Sequence, residues 1–167
     1  WIIARLNETV KEVTEGMEAY ELDRAARPLN DFVDDLSTWY LRRSRDRFKG
    51  EDIVDRDAAL ATLAHVLREF AKVSAPFMPF IADWLWQQLK REGDAESVHL
   101  AAWPSGVALQ ASPEVKSVDT DLIVAMKEAR EIVTQALMVR NKSNIKVRQP
   151  LSRLTVNSAQ YTKVASV

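Results

Sequence analysis

Residues 34–48 read DDLSTWYLRRSRDRF, so a band of apolar and aromatic side chains passes directly into a cluster of arginines. On a helical wheel of about 100° per residue, Leu36, Trp39 and Tyr40 share one side. Large aromatic residues on such a stripe are normally core anchors, so we interpret Trp39 and Tyr40 as packing residues and not as platforms for base stacking. The stretch predicts an amphipathic helix within a helical core.

The arginine cluster divides into two sets on the same wheel. Arg43 and Arg47 fall on the side of the aromatic residues, where a charge without a partner is costly. Either the helix extends beyond the bundle here, or these two arginines meet carboxylates or another domain. Arg42, Arg45 and Lys49 gather on the opposite side. A solvated face and a set of phosphate contacts both fit that second set.

Helical periodicity continues on both sides of this stretch, and Gly and Pro are scarce. Helices are expected over about 1–20, 23–48, 55–73 and 79–92. Short joins between four such helices favour an antiparallel bundle. The fold class predicted is therefore all-α: a four-helix bundle followed by a linker helix and a short strand.

Individual residues suggest where these helices begin and end. Asp23 and Asp55 are candidate N-caps, and Pro79 suits the first position of the fourth helix. Gly50 is a natural stop for the second helix. Pro28 lies beyond the first turn of that helix, so a kink or a distorted start is expected there.

The chain after the fourth helix divides into four parts. Residues 97–104, SVHLAAWP, are interpreted as an extended strap across the bundle, and residues 105–112 as a linker. Ser112 is expected to cap a fifth helix that runs to about Arg140, and residues 145–156 suggest a strand interrupted by Pro150. We therefore expect a bundle domain over 1–104, and a linker, fifth helix and start of a junction module over 105–167.

Composition limits the class of protein. The 167 residues include 23 basic and 24 acidic ones and no cysteine, which excludes disulfides, thiol catalysis and zinc sites built on cysteine. No apolar run approaches the roughly 20 residues that span a bilayer. After Glu131 there is no acidic residue, whereas Arg140, Lys142, Lys146 and Arg148 follow, and such uncompensated charge attracts polyanions.

Catalytic motifs are missing from the chain. It contains no glycine-rich phosphate loop, no His-Glu-x-x-His pattern and no Gly-x-Ser-x-Gly pattern. His65 and His99 are far apart in sequence, and we interpret His65, which lies on a helix beside Val66, as a boundary residue and not as a metal ligand. Neither a catalytic nor a metal site is therefore predicted within these residues.

Five stretches together resemble isoleucyl-tRNA synthetases of the class I aminoacyl-tRNA synthetases. They are WIIARLN at 1–7, DDLSTWYLRRSRDRF at 34–48, APFMPFIADWLWQQL at 75–89, SVHLAAWP at 97–104 and IKVRQPLSRLTV at 145–156. They occur in this order, and the resemblance as a whole covers most of the 167 residues. Five ordered motifs are far more specific than any one of them.

The resemblance implies the anticodon-binding domain of such an enzyme. The parent enzyme would attach isoleucine to tRNA(Ile) with ATP and Mg²⁺, with zinc as a further candidate, and would hydrolyse mischarged valine products. The signatures HIGH and KMSKS of the ATP site are not in this chain, so no cofactor is expected here. The implied partners are tRNA(Ile) and the catalytic and C-terminal domains of the same polypeptide. The resemblance also implies a cytoplasmic monomer that does not associate with a membrane.

We predict two groups of functional residues. The candidates for tRNA contact are Arg42, Arg45, Lys49, Arg140, Lys142, Lys146 and Arg148. The candidates for contacts with protein are Trp39, Tyr40, Arg43 and Arg47. The alternative is a helical protein-docking module with no RNA-binding role of its own, which the near-neutral total charge favours.

Overall fold

Helices make up most of the chain that the computed structural model describes, which is residues 1–104 and 120–156. They are α1 (Ile2–Glu18), α2 (Leu22–Asp34), a π-helical segment (Asp35–Leu41), α3 (Arg42–Lys49), α4 (Ile53–Ser74), α5 (Pro79–Leu89), a 3-10 turn (Val98–Leu100) and α6 (Thr120–Lys142). Contacts divide the described residues into two compact units, one of residues 2–104 and one of Trp1 with residues 120–156. The predicted all-α fold is confirmed.

The core of the first unit lies between α1, α2 and α4. Leu6 and Val13 of α1 and Val66 of α4 are fully buried. The rings of Phe32 and Phe70 stack with their centroids 5.1 Å apart, which joins α2 to α4. These residues belong to the apolar stripes that the helical period predicts.

The join between α1 and α2 is tight. Tyr20 adopts a left-handed φ of 58°, and the Glu21 amide donates to the Gly16 carbonyl at 2.9 Å, which closes the end of α1. Because helix resumes at once, α2 begins at Leu22 with no side-chain cap, and Asp23 lies inside its first turn. The predicted N-cap at Asp23 is therefore wrong.

Three other helix boundaries can be compared with the sequence. Asp52, and not Asp55, caps α4, because the Asp52 carboxylate accepts from the amides of Val54 and Asp55 at 3.0 and 3.2 Å. Gly50 follows the last residue of α3, and Pro79 is the first residue of α5, as predicted. The sequence also predicts a kink or a distorted start at Pro28. Instead, Pro28 is buried inside α2, and the irregular segment follows α2 at 35–41.

Residues 97–104 pack against the bundle as a strap that begins with a 3-10 turn. Val98 is buried in a cluster with Trp86 of α5, and the Trp86 indole donates to the Ala95 carbonyl at 3.0 Å. The Trp103 indole donates to the Thr14 hydroxyl of α1 at 3.0 Å. The predicted strap is therefore present, although its first residues form a turn and not extended chain.

The second unit consists of α6 and the segment that follows it. Asn144 has a left-handed φ of 54°, and the Ile145 amide donates to the Arg140 carbonyl at 2.9 Å, which ends the helix. Residues 145–156 form turns and irregular chain, so the predicted strand is not formed in this range. Pro150 lacks an amide proton, which interrupts any ladder of hydrogen bonds. The predicted linker at 105–112 and the cap at Ser112 lie outside the described residues.

Candidate nucleic-acid interface

The arginine-rich helix follows a change of helical register. Residues 35–41 form π-helical turns, which hold more residues per turn than an α-helix and so rotate every later side chain relative to an ideal wheel. As a result Ser44 is buried and Phe48 is half-buried, whereas Arg43 and Arg47 are exposed. The wheel therefore placed Arg43 and Arg47 wrongly on the core side.

Arg47 nevertheless meets a carboxylate. Its Nε lies 3.0 and 2.9 Å from the two oxygens of Asp55, and its Nη2 lies 2.6 Å from Oδ1. This pairing lowers the pKa of the Asp55 carboxyl below its ordinary value. Arg43 is exposed and forms no ion pair within residues 1–104 and 120–156.

Trp39 and Tyr40 lie half-buried at the end of the π-helical segment. Burial raises the pKa of the Tyr40 phenol, and hydrogen bonding with Ser44 and Thr62 opposes that rise. Thr62 belongs to α4, so Tyr40 connects the arginine-rich helix to the bundle. Tyr40 therefore packs against other residues of the protein.

Arg42 and Arg45 lie together on the exposed side of this helix. They line one shallow cleft, whose residues are Ser37, Thr38, Leu41, Arg42, Arg45 and Phe48. Neither arginine forms an ion pair with any carboxylate in the described part of the chain, whereas Arg47 does. Lys49 is exposed on the same helix but does not line the cleft.

The second predicted set belongs to the other compact unit. Lys142, Lys146 and Arg148 are exposed. Arg140 is half-buried, and its Nη2 donates to the carbonyls of Lys146 and Val147 at 3.0 and 3.2 Å and also to that of Gln149. The guanidinium of Arg140 is thus committed to the turn after α6, which leaves it less able than its neighbours to meet a phosphate.

Two features of the surface were not predicted from the sequence. Arg148 and Arg153 line a groove of about 680 Å³ between α6 and residues 147–156, with an apolar floor that includes Val139 and Leu154. Phe48 lines the cleft beside Arg42 but was interpreted from sequence only as the end of a helix. The spacing of Leu41 and Phe48, two helical turns apart, was the signal that could have identified it.

The described residues form neither a metal site nor a membrane span. Within them, no group of three or more His, Asp or Glu side chains is placed to hold a metal ion. No described helix combines the length and the apolar character that a membrane span requires. His65 is half-buried on α4, as the sequence predicts for a boundary residue.

A family model described as the anticodon-binding domain of tRNA ligase matches residues 1–156. Similar proteins are isoleucine–tRNA ligases from Chlamydia trachomatis serovar D, Thermus thermophilus and Deinococcus radiodurans. They are 43%, 44% and 42% identical over 166, 163 and 159 residues, or 99%, 95% and 95% of the chain. The chain spans 15%, 15% and 14% of the length of these relatives.

Proposed function

The chain belongs to the family of anticodon-binding domains of tRNA ligases, and from this premise we propose that it holds the anticodon arm of tRNA(Ile) for an isoleucine–tRNA ligase. The relatives that carry this name support the choice of amino acid, since they match 93% or more of the chain. The task is mechanical: the domain fixes one end of the tRNA while the other end reaches a distant active site.

The remaining chemistry is assigned to the rest of that ligase. The complete polypeptide would join isoleucine to tRNA(Ile) and hydrolyse mischarged valine products, as a cytoplasmic monomer. ATP with Mg²⁺, and any zinc, would bind in its other domains. The residues described above offer neither a phosphate loop nor a cluster of metal ligands. The catalytic and C-terminal domains of the same polypeptide are therefore proposed partners of this domain.

The observation that carries the proposal is the pair of unneutralised arginines in the cleft. Arg42 and Arg45 lie side by side on an exposed helix face, and no described carboxylate pairs with them. Guanidinium groups bind phosphates through forked hydrogen bonds, and such contacts fix the position and register of a nucleic acid. The exposed Lys49 extends this positive surface by one helical turn beyond Arg45.

The second basic set supports the same function from the other unit. Lys142, Lys146 and Arg148 are exposed in a stretch that carries no acidic residue after Glu131. Their charge would attract the RNA at long range, and each direct phosphate contact would release counterions. Arg140 was also predicted from the sequence as a candidate for tRNA contact, but its hydrogen bonds to the turn after α6 favour a structural role.

A docking function without RNA remains the second candidate, and one observation favours it. On α5, Phe80, Ile81 and Trp84 are 90%, 61% and 62% exposed, which is an unusual density of large apolar side chains. Such a face suits contact with another protein domain. Such a face is also compatible with an RNA-binding domain, so docking becomes the whole function only if the RNA contacts fail.

The experiment measures binding of tRNA(Ile) to the complete ligase at several salt concentrations. Arg42→Gln, Arg45→Gln and Lys49→Gln should each weaken binding and reduce the slope of log affinity against log salt by about one. Arg27→Gln is the matched control, because Arg27 lies on α2 and its charge is already paired with Asp23. If the three variants keep the slope of the unchanged protein, the RNA contact is not made here and the docking function is favoured.

A further inference from the structure

The π-helical segment before α3 decides which side chains of that helix face the bundle. One extra residue in a helical turn rotates every later side chain by about 100°. Ser44 is therefore buried, and Arg43 is exposed next to it. In an unbroken α-helix, Arg43 would instead lie on the side of Leu36 and Tyr40. The register of residues 35–41 thus determines where the arginines of α3 lie.

The segment is held near both ends by contacts with other helices. A π-helix is rare and its hydrogen bonds run one residue further than those of an α-helix, so tertiary contacts are needed to keep it. At its first residue, the Asp35 carboxylate accepts from the Nε of Arg5 on α1 at 2.8 Å, and both side chains are largely buried. Near its last residue, Tyr40 hydrogen-bonds with Thr62 of α4. The chain between these two contacts is therefore fixed relative to the bundle.

Arg5 is itself held in place on α1. Its Nη1 donates to Oε2 of Glu8 at 2.8 Å, so the guanidinium is not free to follow Asp35 if the segment turns. Separating Arg5 from Asp35 would leave a buried charge without its partner, which is strongly unfavourable. The ion pair therefore opposes any rotation of the segment about its own axis.

Two hydroxyl groups ease the departure from α-helical geometry at the same place. Ser37 donates to the Val33 carbonyl, and Thr38 donates to the Asp34 carbonyl at 2.8 Å. Such bonds to a carbonyl four residues earlier bend helices. They act within one helix and do not determine which of its sides faces α1, so the orientation depends on the contact with Arg5.

We propose that the ion pair between Arg5 and Asp35 sets the register of the arginine-rich helix and so positions Arg42 and Arg45 for contact with RNA phosphates. The inference rests on the proposed function and adds two positioning residues to it. Arg42 and Arg45 are exposed on the side of α3 away from Ser44. A rotation of about 100° would move both arginines from that side. Forked guanidinium–phosphate contacts depend on direction, so the rotation would break them.

The first part of the test reads the register directly in the complete ligase. Arg5→Met is combined with Asp35→Leu, because apolar residues of similar volume can replace a buried ion pair with little loss of stability. Arg43→Cys and Ser44→Cys then place a thiol at each position in turn, and mass spectrometry of the peptide that carries it gives the labelling rate. With the pair intact, position 43 should react quickly and position 44 slowly, since reaction requires an accessible thiol. Without the pair, position 44 should react at least about ten times faster, and position 43 more slowly.

The second part measures binding of tRNA(Ile) to the same ligase at several salt concentrations. With the pair intact, Arg42→Gln and Arg45→Gln should each reduce the slope of log affinity against log salt by about one. Without the pair, the slope should already be lower, and the two substitutions should reduce it no further. A loss of stability alone does not produce this pattern.

Two further variants keep the test decisive. Lys11→Met with Glu15→Leu makes the same kind of exchange at an exposed ion pair of α1, and it should leave the labelling rates and the salt slopes unchanged. If the ligase without the buried pair does not fold, Arg5→Lys takes its place. It keeps the charge but lacks the planar group that reaches Asp35 and Glu8 together, and it should shift the labelling in the same direction.

The possible failures differ in what they show. If position 44 stays protected without the pair, the pair does not set the register and the inference is overturned, whatever the RNA does. If the labelling shifts but Arg42→Gln and Arg45→Gln still reduce the slope, the register does not position these arginines for RNA, and the inference is again overturned. If the two substitutions leave the slope unchanged even with the pair intact, the proposed function fails and positioning for RNA fails with it, whereas the labelling still decides whether the pair sets the register.

Discussion

The Nε of Arg5 donates to Oδ2 of Asp35 at 2.8 Å, and this contact joins α1 to the first residue of the π-helical segment. The Asp35 side chain is 4% exposed and that of Arg5 is 13% exposed. Arg5 also donates to Glu8, one turn later on α1, at 2.8 Å. A buried ion pair thus lies where the helical register changes, just before the arginine-rich helix.

Asp35→Asn should destabilise the first unit strongly. Removing one partner of a buried ion pair leaves the other charge uncompensated, which costs as much as about 3–5 kcal/mol, and Glu8 offsets only part of this. Urea unfolding measures the change. Asp31→Asn, at an exposed position of α2, is the matched control and should stay within about 0.5 kcal/mol of the unchanged protein. Equal stability of both variants would mean that the pair does not hold this join.

The helices could be predicted from sequence because their signal repeats along many residues. The stripes that contain Val13 and Phe32 each recur over several turns, so a single irregular residue does not hide them. The predicted caps at Asp23 and Asp55 were wrong because one position decides a cap, and acidic residues lie on both sides of each boundary. Capping by Asp52 depends on local backbone angles that periodicity does not encode.

The candidate interface was only partly predictable for a related reason. The composition of residues 34–48 indicated the cluster of arginines, but an ideal wheel cannot show a π-helical segment inside it. Its first residue, Asp35, pairs with Arg5, which is 30 residues away in sequence, and a wheel does not include such long-range contacts. The wheel therefore misplaced Arg43 and Arg47, and its one signal for Phe48 was the spacing of two helical turns from Leu41.

Arg47 and Arg45 should differ in what their loss disturbs. Arg47→Gln removes the forked contact with Asp55, so we expect a small fall in melting temperature and little change in RNA affinity. Arg45→Gln should leave the melting temperature nearly unchanged and lower the RNA affinity. Melting curves and tRNA binding on both variants check this, with Asp55→Asn as a partner variant. A large loss of RNA affinity with Arg47→Gln at unchanged stability would show that Arg47 faces the RNA.

Gly16→Ala should be destabilising although alanine favours helices. A Cβ at position 16 would lie 2.9 Å from the Cα, Cβ and N of Ala25, so α1 and α2 would have to separate. Overpacking of this kind costs about 1–3 kcal/mol, which exceeds the gain in helix propensity of roughly 1 kcal/mol. Thermal and urea unfolding measure the balance. A more stable variant would mean that the two helices can move apart at little cost.

The stability of the first unit should depend on pH through His65. Burial lowers the pKa of this imidazole below its ordinary value of 6.5, Glu69 opposes the shift, and Arg91, Lys72 and Arg68 add to it. The unfolded chain therefore binds the proton more readily than the folded chain does. The contribution of neutral His65 to the free energy of unfolding is complete above pH 6.5 and is lost as the pH falls through the lowered pKa. Urea unfolding between pH 5 and pH 8 (roughly the range of histidine titration) should show a smaller pH dependence for His65→Gln. An identical pH dependence of the two proteins would exclude His65 as its source.

Arg140 should prove to be a structural residue of the turn after α6. Its Nη2 donates to the carbonyls of Lys146, Val147 and Gln149, and the Gln149 amide donates to the Lys146 carbonyl at 3.0 Å within the same turn. Arg140→Gln should therefore speed hydrogen exchange of the amides of Ile145 and Gln149.

Two variants serve as controls for this prediction. Arg140→Lys keeps the positive charge but lacks the planar guanidinium group, and it should show the same loss of amide protection. Lys146→Gln, the matched control, should leave exchange unchanged but reduce the salt slope of tRNA binding by about one. If Arg140→Gln reduces that slope with full amide protection, its guanidinium contacts RNA and the turn holds without it.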